Sequence, residues 1–192
     1  LSWRGGVSDV NDAVAAAEKA DVVVAVVGFT REIEGEEMMG RTLPDGFVGG
    51  DRTAIDLPKD EQALLEAVKA TGKPLVVVLV NGSAISVTWA QQKANAILEA
   101  WYPGEEGGTA IAETLAGVNN PAGRLPVTFY KDVKDLPPFE EYAMGNRTYR
   151  YYQGQPLYPF GYGLSYSKFA YKAAKLSATT LKAGDDLTLD VD

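Results

Sequence analysis

Apolar and polar positions follow two rhythms along the first half of the chain. Val10, Ala13, Val14 and Ala17 recur at the spacing of one helix face, behind Ser8 as a candidate N-cap and with Asp9 and Asp12 in the first turn. This predicts a helix over 8–20. The run Asp21-Val-Val-Val-Ala-Val-Val-Gly28 then continues without a polar break and is rich in β-branched residues, the pattern of a strand covered on both faces. The pair repeats. Pro58 opens a stretch in which Leu64, Leu65 and Val68 form an apolar stripe, Gly72 and Pro74 close it, and a strand over 75–80 follows. A third strand is expected over 96–101, then a helix over 108–115 stopped by Gly117.

Buried strands alternating with amphipathic helices predict an α/β fold, a mostly parallel sheet sandwiched between helices. Ligands of such sheets bind outside the carboxyl ends of the strands. Three segments lie there: Phe29 onward, Asn81-Gly82-Ser83, and Tyr102-Pro103-Gly104. The first stands out, because 29–56 has no clear period and far exceeds the usual connection of roughly 2–6 residues. Beyond residue 120 the pattern changes. Pro121, Pro126, Pro137, Pro138, Pro156 and Pro159 interrupt a tyrosine-rich stretch, which reads as an irregular wrap over the domain. Alternation returns near Phe169 and at 187–191, the first strands of a truncated all-β segment.

Composition narrows the chemistry. The 192 residues are 46% hydrophobic, enough for one well-buried domain, and 26 acidic against 18 basic residues give a net charge of −8. That balance lacks the basic footprint needed for nucleic acid or an anionic membrane surface. The longest apolar runs fall far short of the roughly 20 residues that span a bilayer. With neither cysteine nor histidine, the chain has no disulfide framework, no thiolate metal site and no imidazole base, so its catalytic currency is mostly carboxylate. It starts at Leu1 and stops within an apparent strand, so it reads as an excerpt of a longer protein whose targeting signals it cannot reveal.

Four glutamates crowd into 32–37 within Arg31-Glu-Ile-Glu-Gly-Glu-Glu-Met38, where the sheet rule places a ligand. Charge content alone reads this first as a solvated acidic turn. The functional alternative is that like charges disfavour one another's ionisation and keep one carboxylic acid protonated, ready to donate. The run lacks the Asp-x-Asp-x-Asp-Gly spacing of a calcium loop. Gly49-Gly50-Asp51-Arg52 permits a tight turn closed by an ion pair or a contact with a substrate. Tyr102-Pro-Gly-Glu-Glu-Gly-Gly108 offers free amides before a helix, but it matches no nucleotide fingerprint and its glutamates would repel phosphate, so a strand-to-helix turn is the better reading. Asn81-Gly82-Ser83 is read as a turn, its serine having no base to activate it. Tyr149, Tyr151, Tyr152, Tyr158, Tyr162 and Tyr166 suit packing more than sugar stacking.

Taken together, ordered landmarks carry a resemblance to a known family. They are Ile33-Glu-Gly-Glu-Glu37, Gly50-Asp-Arg52 followed by Leu57-Pro58, Trp101-Tyr-Pro-Gly104 with Gly107-Gly108, Asn120-Pro-Ala-Gly-Arg-Leu-Pro126, Arg147-Thr-Tyr-Arg-Tyr151, and Pro156-Leu-Tyr-Pro-Phe-Gly-Tyr-Gly-Leu-Ser-Tyr166. In this order they resemble the C-terminal α/β domain of family 3 glycoside hydrolases, the β-glucosidases and β-xylosidases. The resemblance implies a flavodoxin-like α/β sandwich over 1–166 and, over 167–192, the truncated start of a fibronectin type III-like domain. It implies a retaining mechanism on β-linked oligosaccharides or aryl and alkyl glycosides, with no cofactor and no metal. The nucleophilic aspartate would lie on an N-terminal barrel that this chain lacks, so the excerpt alone is expected to be inactive. The family's Glu-x-Glu pattern matches Glu34-Gly35-Glu36 and implies Glu36 as general acid/base. Because Asp51-Arg52 stands well beyond Glu37 instead of adjoining it, Glu34 and Glu37 remain alternates. Asp51 and Arg52 would support the loop. A secreted or periplasmic setting fits the full-length enzyme, and the excerpt does not fix it.

Overall fold

The computed structural model describes residues 10–30, 33–34, 45–48 and 51–192. Helix α1 (Val10–Glu18) turns Val10, Ala13 and Ala17 inward and is followed directly by strand β1 (Val23–Gly28). The start of the predicted first helix, residues 8 and 9, lies outside the described residues. A two-stranded ribbon, β2 (Phe47–Val48) against β3 (Asp51–Arg52), sits within the long connection that the sequence left without a period. Helix α2 (Lys59–Ala70) begins after Pro58, carries Asp60 and Glu61 in its first turn and ends before Gly72, which takes the left-handed φ of 79°. Strand β4 (Leu75–Val80) spans the residues expected of it.

Helix α3 (Thr88–Lys93) is new, since its short sequence Thr-Trp-Ala-Gln-Gln-Lys shows only one buried position, Ala90. Strand β5 (Ala96–Glu99) stops short of the predicted Trp101, whose φ of 53° takes the backbone out of the extended region. Helix α4 (Gly107–Leu115) follows and ends, as expected, before Gly117 at φ 73°.

β1, β4 and β5 form a parallel sheet in the order β1-β4-β5, with Val23 beside Leu75, Gly28 beside Val80, and Leu79 beside Glu99. Central β4 is buried on both sides. Leu75, Val77 and Leu79 join the core under α1 and α2, while Val78, pointing the other way, is equally covered. At the edge, β1 departs from expectation. Ala25 and Val27 are buried, but Val24 and Val26 on the opposite face remain 48% and 57% exposed. An unbroken apolar run cannot distinguish a central strand from an edge strand, because coverage depends on neighbours that lie elsewhere in the chain.

The proline-rich stretch wraps the sheet as predicted. Phe129 bridges to Tyr158, and the two rings meet edge to face at 5.9 Å with both side chains buried. Leu125 N donates to Tyr162 O at 2.8 Å, and Tyr158 stacks on Tyr162 at 4.9 Å. Elsewhere in the wrap, a short helix α5 (Thr148–Tyr151) brings Tyr149 against Phe160 at 4.5 Å. Tyr152 meets Tyr130 edge to face at 5.0 Å, so four of the six clustered tyrosines pack on another ring, while Tyr166 stays 70% exposed. The last two strands, β6 (Ala174–Leu176) and β7 (Leu189–Val191), pair antiparallel and are exposed at every position.

Candidate functional site

Everything in the site depends on how the chain leaves β1. Gly28 has a φ of 140°, and a Cβ there would lie 2.0 Å from the Val80 carbonyl oxygen, so only glycine lets β1 run this close to β4 at its end. Its N–H donates to Glu61 Oε2 at 2.7 Å, and burial raises the Glu61 carboxyl to about 7 against the pull of that bond. Phe29 N then donates to Val80 O at 2.8 Å, extending the ladder by one residue, and its ring is buried. A single turn follows, in which Ile33 N and Glu34 N both donate to Thr30 O. That turn sends the Glu34 side chain across the carboxyl ends of β4 and β5.

Four donors converge on the Glu34 carboxylate. The Ser83 hydroxyl donates to Oε1 at 2.7 Å, Gly82 N donates to Oε2 at 3.3 Å, and the Tyr102 hydroxyl donates to Oε2. Arg52 Nη1 stands 3.7 Å from Oε1 and donates to Ser83 Oγ at 2.7 Å, so the serine hydroxyl accepts from the guanidinium and passes its own proton toward the carboxylate. Arg52 comes from β3, where the ribbon pairs it with Phe47, and its guanidinium lies 4.2 Å from the centre of the Phe29 ring. Burial pulls the guanidinium down from its ordinary value, opposed by Glu34, Asp56 and Tyr102. The Tyr102 phenol is pushed up to about 12, by burial first and by Glu34 second, so it remains a donor at any working pH.

Behind this cluster lies a second carboxyl. Glu99, the last residue of β5, accepts from Trp101 N at 3.0 Å and from Asn81 Nδ2 at 3.4 Å. Burial outweighs both bonds and raises its carboxyl to about 7. Asn81 is fully buried, also donates to Ser83 O at 2.8 Å, and its Oδ1 has no partner among the described residues.

The predicted site residues thus divide. Glu34 and Arg52 come together. Asp51 is exposed and sits opposite Val48 in the ribbon. Glu32, Glu36 and Glu37, including the residue favoured as acid/base, lie outside the described residues. The sequence presents Ser83, Gly82 and Tyr102 as parts of turns, and the structure makes all three partners of Glu34. The available signal was positional, since both turns follow strands whose carboxyl ends the sheet rule had already singled out. Among the described residues no group of three or more acidic side chains could hold a metal ion.

A parallel sheet flanked by helices, with Glu34 tied across the carboxyl ends of two strands, defines an α/β domain with a polar cluster at its strand ends. Comparison with known proteins gives the family: residues 7–166 match the glycosyl hydrolase family 3 C-terminal domain, and the chain belongs to that family. A xylan 1,4-beta-xylosidase of Xylanibacter ruminicola is 46% identical over 90% of this chain and 20% of its own length. A periplasmic beta-glucosidase of Salmonella typhimurium is 40% identical over 95% of this chain and 24% of its own. Among solved structures, a β-glucosidase from Erythrobacter marinus superposes with a TM-score of 0.75 at 35% identity, covering 95% of this chain and 24% of that one. The chain therefore spans about a fifth to a quarter of the length of these relatives.

Proposed function

We propose that the chain is the α/β domain of a retaining, exo-acting β-glycosidase that removes terminal β-linked sugars from oligosaccharides or from aryl and alkyl glycosides. Glu36 is its general acid/base. It protonates the glycosidic oxygen as the sugar passes to a nucleophilic aspartate, then takes a proton from the water that releases the sugar. The aspartate belongs to a barrel elsewhere in the full-length protein, so the chain alone lacks the second carboxylate, which must stand about 5 Å from the first, and does not turn over.

The observation that carries this reading is the anchoring of Glu34. Both of its oxygens are taken up by Ser83, Gly82, Tyr102 and Arg52, which leaves the neighbouring glutamates to meet a substrate and favours Glu36 over the alternate Glu34. Glu37 remains the other alternate. Arg52 supports the loop through its bonds to Ser83 and Ala54, and Asp51 supports it as the ribbon partner of Val48. β-Glucosidase is the first substrate reading. The relative at 46% identity, named a β-xylosidase, supports β-xylosidase as the second. Residues 167–192 are the start of a fibronectin type III-like domain, a reading supported by the antiparallel β6–β7 pair.

In the full-length enzyme, Glu36→Ala is expected to lower kcat/KM on glycosides with poor leaving groups by about 10²–10⁴-fold while sparing kcat/KM on dinitrophenyl glycosides, whose kcat falls for want of a base and is restored by azide. The same signature in Glu37→Ala or Glu34→Ala, and not in Glu36→Ala, would move the assignment. Its absence from all three would favour a non-catalytic sugar-binding or scaffolding domain. Substantial hydrolysis of an aryl β-glucoside by the chain alone would place a nucleophile within it and refute the two-domain mechanism.

A further inference from the structure

We propose that Ser83 and Tyr102 are positioning residues of the acid/base, acting through Glu34 as a clamp that fixes the root of the acidic loop to the ends of β4 and β5. The proposal rests on the reading of Glu36 as acid/base and adds to it the residues that hold that acid in place.

The geometry is that of a built contact. Glu34 is reached from positions 48, 49 and 68 residues along the chain, so two separate segments, the turn after β4 and the turn after β5, commit three donors to one carboxylate. At Gly82 a Cβ would lie 2.7 Å from the Tyr102 ring and 3.2 Å from Glu34 Oε2, and the absence of a side chain there is what lets the segments meet. Arg52, only 15% exposed at its side chain, rests on the buried Phe29 ring and backs the cluster against the core. The Ser83 hydroxyl has one proton, and with Arg52 as its donor that proton is directed to Glu34, so both ends of the serine bond are set.

The consequence for Glu36 follows from chain geometry. Two peptide units separate its Cα from that of Glu34, a span of at most about 7.6 Å. The acid must come within about 2.6–3.2 Å of the glycosidic oxygen, and an error of about 1 Å can cost about 10²-fold. A clamp on Glu34 therefore acts on leaving-group protonation more than on sugar binding.

The test compares Ser83→Ala, Tyr102→Phe and the double variant in the full-length enzyme, using an alkyl β-glucoside and a dinitrophenyl β-glucoside. Each single variant is expected to lower kcat/KM on the alkyl substrate about tenfold, and the double variant further, against less than about threefold in kcat/KM on the dinitrophenyl substrate, whose leaving group needs no proton. On the alkyl substrate KM should stay within about twofold, and Ser83→Thr, which keeps the hydroxyl, should restore most of the alkyl rate. Equal losses of kcat/KM on both substrates, or none on either, overturn the clamp. Should a variant fail to fold, Glu34→Gln tests the same contact and must show the same split. Glu36→Ala run alongside separates two failures. A leaving-group signature in Glu36→Ala but not in the clamp variants overturns the clamp alone, whereas its absence from Glu36→Ala overturns the acid/base reading and the clamp with it.

Discussion

Glu34 and Glu99 share one short turn, Asn81-Gly82-Ser83, yet their surroundings differ in kind. Glu34 meets two hydroxyls, a backbone N–H and a guanidinium. Glu99 receives one backbone N–H and one amide at 3.4 Å, and no ion pair among the described residues involves it. Two neutral donors do not offset the desolvation of Glu99, so its carboxyl rises to about 7. A carboxyl at a strand end becomes an anchor when converging donors, including a cation, replace its water, and a group titrating near neutrality when burial outruns the donors. Asn81 stands between the two, its amide donating both to Glu99 and to the carbonyl of Ser83, the residue that binds Glu34.

Breaking that link should have the largest effect. Asn81→Asp replaces a fully buried donor by an acceptor facing Glu99 and the Ser83 carbonyl, and should destabilise the fold by about 3–5 kcal/mol in urea melts. A loss below about 1 kcal/mol would show that Asn81 does not tie the two carboxyls together.

Next comes the titration of Glu99. Folding raises its pKa from 4.5 to about 7, so the folded chain holds a proton that the unfolded chain releases across that interval. The associated stability is complete below about pH 4.5 and is lost as pH climbs through 7. Glu61 adds a slope of the same sign. After allowance for partial exposure, each contributes roughly 1–3 kcal/mol between pH 5 and pH 8. Thermal melts across that range should show Glu99→Gln removing about half of the decline, and an unchanged slope would contradict the burial account.

Gly82→Ala sharpens the other half of the comparison. The added methyl meets the Tyr102 ring and should push the phenol away from Glu34, at a stability cost of about 1–2 kcal/mol. Ultraviolet titration should then find the Tyr102 phenol moving from about 12 back toward 10. A titration that stayed near 12 would mean that the ring keeps its place despite the methyl. The smallest effect is expected for Ser83→Ala, below about 1 kcal/mol in the same melts, because the residue is exposed and water can replace its hydroxyl. A larger loss would make the serine a structural element in its own right.

Much of this was legible before any coordinates. The apolar run at 75–80, the stripe on α2 and the glycine stop after α4 encode their elements within a turn or two of chain, and all three appear with the expected bounds or within a residue of them. The rule that ligands gather at strand carboxyl ends pointed to Phe29, to 81–83 and to Tyr102, and these segments do meet. Other features depended on partners. β5 ends at Glu99 because the chain turns at Trp101, whose N–H goes to the Glu99 carboxylate. The β2–β3 ribbon comprises two residues on each side, too few to establish a period.

By itself the sequence determined the alternation of helix and strand, the family, and the crowding of glutamates at the one long loop, since local periodicity and ordered motifs are properties of neighbouring residues. Only the tertiary structure decided that β1 is half bare, that Glu99 is buried with too few donors, and that Glu34 is the glutamate claimed by Ser83, Tyr102 and Arg52. The reason is physical. Hydrogen-bond partners and desolvation are set by which distant segments the β1-β4-β5 register brings side by side, and no window along the chain contains both members of such a pair.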